Sequence, residues 1–100
     1  MADITIDSDA HTSLNTKAQP RSLVWTSNTT GYVFFVDAAS DLHYRKTTDS
    51  GASWGTEATI RTGTVSTFGI WYDKWTDGDI GDVIHIAFVD IDNDITYNSF

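Results

Sequence analysis

Three sets of side chains in this chain carry chemistry worth testing against the fold. The first is acidic: Asp77, Asp79 and Asp82 in the turn DGDIGD, and Asp90, Asp92 and Asp94 at alternate positions. Oxygen-rich loops of this kind suit a hard cation, and calcium takes about six to eight such ligands on a tight, often Gly-containing turn. The Asp77–Asp82 stretch is the better loop. Neither run completes an EF-hand, because Ile95 stands where Gly is required and no Glu follows. Alternating carboxylates at 90, 92 and 94 also fit a hairpin with a solvated acidic tip. The second set is aromatic: Trp71, Tyr72 and Trp75 in WYDKW; Arg21 is a separate ligand-binding candidate. Sugars stack on such rings while neighbouring Asp or Asn side chains take their hydroxyls. The competing reading makes Trp71 core and Trp75 a loop anchor. The third set is His11, His43 and His85, whose spacing forms no metal set. His43 and His85 read as packed or surface strand residues, and His11 carries no signal.

The elements that must position these groups follow from composition. The chain has 100 residues, room for one small domain or a piece of a larger one. It holds 15 Thr, 9 Ile and 6 Val against 3 Leu, 1 Glu and 1 Met. β-Branched and aromatic side chains favour pleated, half-buried surfaces and offer little to helices. The chain is therefore expected to be all-β. A net charge of −8 and a pI near 4.3 repel phosphate backbones and anionic membrane surfaces, so no nucleic-acid partner is expected. No apolar run is long enough to span a bilayer as a helix, so membrane insertion is not expected either. The opening MADITIDSDA lacks the basic and apolar parts of a secretion signal. Zero cysteines exclude disulfides and thiolate metal sites. There is no Gly-rich phosphate loop, Ser-His-Asp spacing or basic groove.

Short β-rich runs recur between turn clusters: residues 3–7, 22–26, 32–37, 42–47, 58–62, 67–72, 83–90 and 95–100. Eight short strands at near-even spacing imply a sandwich, a barrel or a propeller. Residues 12–21 read as a polar, irregular connection. An internal repeat narrows the choice. YVFFVDAASDLHYRKT (32–47) lies over HIAFVDIDNDITYNSF (85–100) at an offset of 53, matching Phe35 to Phe88, Val36 to Val89, Asp37 to Asp90, Asp41 to Asp94 and Tyr44 to Tyr97. Each copy reads as a hairpin preceded by a Trp-bearing strand, with Trp25 set against Trp71. A period near ~50 residues built from short strands fits one propeller blade per repeat.

The octapeptide Thr47-Thr48-Asp49-Ser50-Gly51-Ala52-Ser53-Trp54 resembles the Asp box, S/T-x-D-x-G-x-[ST]-W, of sialidase-like (BNR-repeat) β-propellers. All five defined positions match: Thr47, Asp49, Gly51, Ser53 and Trp54. The resemblance implies four-stranded meander blades with the box between the third and fourth strands, acting as a structural device on the rim. It covers residues 20–62 directly and residues 67–100 through the repeat. Blade one is then about 20–62, and blade two about 67–100 with residues 3–7 as its missing outer strand. That family's hydrolases bind the substrate carboxylate through an arginine triad that begins in Arg-Ile-Pro. Here Pro20-Arg21-Ser22 stands in that place, Arg45 and Arg61 are strand-borne, and the Tyr-Glu nucleophile pair has no counterpart beyond the lone Glu57. No catalytic residues are therefore expected.

Two blades cannot close a ring, since propellers need about four to eight. The expectation is a non-enzymatic two-blade unit, residues 1–100, that completes its ring by homo-oligomerisation. Six blades in a homotrimer are favoured. In that ring residues 3–7 pair with their own second blade or with a neighbour's. The unit would serve as a structural or glycan-binding module, with calcium the only cofactor to consider. An extracellular or virion surface is the setting such a module suits. The alternatives are the amino-terminal part of a sialidase-like glycoside hydrolase, and a scaffold whose function is assembly itself.

Overall fold

The computed structural model describes residues 3–8, 21–63, 65–90 and 92–100. Seven strands fall where the β-rich runs are: β1 Leu23–Trp25, β2 Gly31–Val36, β3 Leu42–Thr47, β4 Ala58–Arg61, β5 Thr67–Tyr72, β6 Ile84–Val89 and β7 Ile95–Ser99. A 3-10 turn, Asp73–Trp75, follows β5, and the described residues contain no α-helix. The strands form two antiparallel meanders, one of four strands in the order β1-β2-β3-β4 and one of three in the order β5-β6-β7. Residues 3–7 belong to neither sheet, so the expected pairing of this segment with its own second unit is not made. Asp3 and Asp7 bracket a run in which Ile4 stays 46% exposed. The edge strand β7, which such a segment would have to extend, is exposed over most of its length. A further edge strand there would bury too little to offset the ordering of its backbone.

The ladder registers show that the repeat is real in three dimensions. In the first sheet Val36 faces Leu42, Phe35 faces His43 and Phe34 faces Tyr44. In the second, Val89 faces Ile95, Phe88 faces Thr96 and Ala87 faces Tyr97, the same pairs displaced by 53. The preceding strands correct one expectation. Trp25 pairs with Gly31, whereas the residue opposite Ile84 (the counterpart of Gly31) is Tyr72. Trp25 thus corresponds to Tyr72, and Trp71 corresponds to Val24. Register is set by the ladder and its turns, and a one-residue slip moves every side chain to the other face.

The core lies between the sheets. Val24, Phe34, Val36 and Leu42 from the first meet Phe68, Ile70, Tyr72, Ile84, Ile86 and Phe88 from the second, with Val65 of the connection between them. Burying each large side chain here contributes about 1.5–3 kcal/mol. The two contributing faces are not equivalent under the repeat. Residues 34, 36, 42 and 44 of the first sheet correspond to 87, 89, 95 and 97 of the second, and these point away from the core. The core-facing 86 and 88 correspond instead to 33 and 35. The sheets therefore stack head to tail, front on back, rather than face to equivalent face. Such a contact is heterologous, and it leaves the outer side of the second sheet, with Trp71, Ile95 and Tyr97, exposed.

Candidate functional site

The two hairpin turns are chemical duplicates. Oδ1 of Asp37 accepts the amides of Ala39 at 3.0 Å and Asp41 at 2.9 Å. Oδ1 of Asp90 accepts those of Asp92 at 3.0 Å and Asp94 at 3.1 Å. In both, the third residue after the aspartate takes a left-handed conformation, Ser40 at φ 67° and Asn93 at φ 64°. These are Asx turns, in which a short carboxylate replaces backbone partners. The run Asp90, Asp92, Asp94 is thereby accounted for as a hairpin turn.

The octapeptide closes on its own aspartate. Oδ1 of Asp49 accepts the Thr47 hydroxyl at 2.8 Å and the Ser53 amide at 2.9 Å, while Oδ2 accepts the Ser53 hydroxyl. Thr47 Oγ1 in turn accepts the Gly51 amide at 3.0 Å. Both hydroxyls are spent inside the turn rather than across the hairpin. Ser53 and Thr47 hold the Asp49 carboxyl down at about 2, well below its ordinary 3.8. Gly51 sits at φ 89°, a conformation that favours glycine. The Trp54 ring tilts against Trp25 with centroids 6.3 Å apart, and Ser50 Oγ donates to the Asn28 carbonyl. The octapeptide thus pins the β3–β4 connection to the β1–β2 turn.

Each sheet also has a histidine node that the spacing did not reveal. His43 is buried, with Nε2 2.8 Å from Asp37 Oδ2 and 3.3 Å from Glu57 Oε1, and Nδ1 3.1 Å from Thr59 Oγ1. Burial pushes the Asp37 carboxyl up, but the Asp41 amide and His43 outweigh it and the net shift is downward. His85 lies between Asp73 on Nε2 and the Tyr97 hydroxyl, 2.7 Å from Nδ1. The His85 bond and the Val83 amide lower the Asp73 carboxyl. The signal available in sequence was the hairpin pattern: His43 lies across the turn from Asp37, and His85 lies two residues before Ala87, the strand partner of Tyr97, on the same face.

Of the four residues expected to hold a ligand, Arg21, Trp71 and Trp75 form one cluster, and Tyr72 touches it only through an edge-on contact with Trp75, their ring centroids 6.4 Å apart. The Arg21 guanidinium lies 5.3 Å from the Trp71 ring centroid and 4.9 Å from that of Trp75, and the two indoles are perpendicular to each other. A cation already covers these rings, an arrangement that contributes about 0.5–1 kcal/mol at exposed sites. Tyr72 faces the opposite way, into the core, because neighbours in a strand alternate sides. The arginines do not converge as a carboxylate clamp: Arg61 spans the sheets to Asp90 at 3.4 Å and lies over Phe88, and Arg45, opposite Val33, is on the outward face of the first sheet.

The acidic loop does not gather as expected for calcium. Asp79 accepts the Gly81 amide at 2.8 Å, and among the described residues Asp77, Asp79 and Asp82 do not bring their oxygens together. The set that does cluster is Asp37, Asp41 and His43, where the carboxylates are engaged by turn amides, the imidazole and the Gly63 amide.

One cavity opens between the sheets at the end carrying the β1–β2 turn. It holds about 390 Å³ and is lined by Thr26, Tyr32, Tyr72, Lys74, Asp82, Val83, Ile84 and Phe100. Asp73 fixes its rim by accepting the Val83 amide on Oδ2 and donating its own amide to the Val83 carbonyl. Comparison with protein-family models, with curated proteins and with solved structures finds no match.

Proposed function

We propose that this chain is a two-blade unit of an Asp-box, sialidase-like β-propeller that closes its ring with further copies of itself, three being favoured. Its role is that of a non-enzymatic structural module. The observation that carries the reading is the head-to-tail stacking of two repeat-related sheets. A heterologous contact between equivalent units propagates until it closes or runs on. The outer side of the second sheet keeps the apolar character that such propagation needs. Ile95, 77% exposed, corresponds to Leu42, which is fully buried; Tyr97 corresponds to Tyr44, which packs against the core. The complementary outward face of the first sheet carries Leu23 and Trp25, both still about half exposed. The occupant that fits the second sheet is therefore the first sheet of another copy, which continues the contact already made inside the chain.

Light scattering on the purified chain at micromolar concentration tests the reading. Three copies of 11.1 kDa give a particle of about 33 kDa. A monodisperse monomer that unfolds cooperatively would overturn it. The hydrolase alternative is addressed by a fluorogenic sialoside, with Arg21→Ala as control; turnover that is lost in the variant would replace the present reading.

A further inference from the structure

We infer that the cavity between the two sheets is a binding site for a small neutral polyol of monosaccharide size. Three observations point the same way. Its volume of about 390 Å³ lies at the lower end of the range of roughly 300–1,000 Å³ typical of small-molecule sites. Tyr32 and Phe100 give it aromatic walls, and Val83 and Ile84 an aliphatic one, surfaces that suit the C–H faces of a pyranose. Lys74 and Asp82 line the same space, and neither is paired with an opposite charge among the described residues.

The charges decide the class of ligand. Lys74 offers only donors and the Asp82 carboxylate only acceptors, the complement of a vicinal diol, whose hydroxyls both accept and donate. One positive and one negative group favour no net ligand charge, and the overall charge of −8 disfavours anions. The site lies within one chain, so it does not depend on the assembly proposed above.

Ligand-observed NMR on the full chain, with D-glucose, D-galactose, D-mannose, L-fucose and N-acetylglucosamine as separate probes and glycine as the zwitterionic comparison, tests the inference. At least one sugar is expected to bind saturably in the millimolar range, and glycine is not. Asp82→Asn should weaken that sugar at least about ten-fold, the loss expected when a charge-assisted hydrogen bond is removed. Lys74→Met should weaken it too while leaving the melting temperature unchanged, because Lys74 is exposed and makes no ion pair among the described residues. The inference fails if no sugar saturates, if glycine binds in their place, or if binding survives both substitutions unchanged.

Discussion

Substituting Ile95 by Asp separates the stability of one chain from the stability of an assembly. In the single chain this side chain is 77% exposed on β7, so the change should alter folding by no more than about 1 kcal/mol, the span of strand propensities. In a ring that repeats the internal contact, position 95 is buried as Leu42 is buried now. Full burial of such a side chain is worth about 1.5–3 kcal/mol, of which roughly three-quarters is still to be gained at this exposure. The variant forfeits that and must also desolvate a carboxylate, a penalty of several kcal/mol. A loss on the order of 4 kcal/mol per contact weakens each contact by about a thousand-fold. Sedimentation velocity at micromolar concentration should therefore find the parent chain assembled and Ile95→Asp monomeric with an unchanged far-UV spectrum. Ile80→Asp, 92% exposed on the connection after β5, is the control and should assemble as the parent does. The reasoning is refuted if Ile95→Asp keeps the parent's assembled mass.

Two further outcomes follow from local geometry. A Cβ at Gly31 would sit 2.7 Å from Trp25 Cε3, so Gly31→Ala should destabilise the chain by about 1–3 kcal/mol, as overpacking does, and thermal denaturation reads this directly. The Asp49 carboxyl is held at about 2 against an ordinary 3.8. Because its folded value is the lower one, its contribution is complete above about pH 4 and is lost as the pH falls towards 2. Melting curves between pH 5 and pH 2 should show a decline that is shallower in Asp49→Asn, whose melting temperature at pH 5 is itself lower.

Much of this architecture could be read from residue types. β-Branched and aromatic runs bounded by Asn, Asp, Gly and Ser located the seven strands of the described residues and one further run, 3–7, that joins neither sheet, because residue types mark where a strand can form and the packing partner decides whether it does. The duplicated Asx turns were visible as Asp37 and Asp41 against Asp90 and Asp94. The octapeptide's hydrogen bonds are local, so its residue types nearly specify them. What failed depended on longer-range geometry. Matching Trp25 to Trp71 by identity missed the true register by one residue, since ladder pairing, not residue type, sets which side chains are equivalent. Grouping Trp71, Tyr72 and Trp75 as one platform ignored the two-residue period that sends Trp71 outward and Tyr72 into the core. Arg21 covering two indoles was invisible because it joins the approach to β1 with the far end of β5. The acidic loop shows the same limit. Spacing can place three carboxylates in one turn, but backbone direction decides whether their oxygens converge, and Asp82 turns up beside the cavity instead.

The head-to-tail relation is tested most directly by a photo-crosslinking amino acid placed at Tyr97, the exposed counterpart of the core-packing Tyr44. The account predicts a covalent dimer whose joined peptides come from position 97 of one copy and the outward face of β2 and β3, around Val33 and Arg45, of another. Symmetrical products linking position 97 to position 97, or no product between copies at all, would contradict it.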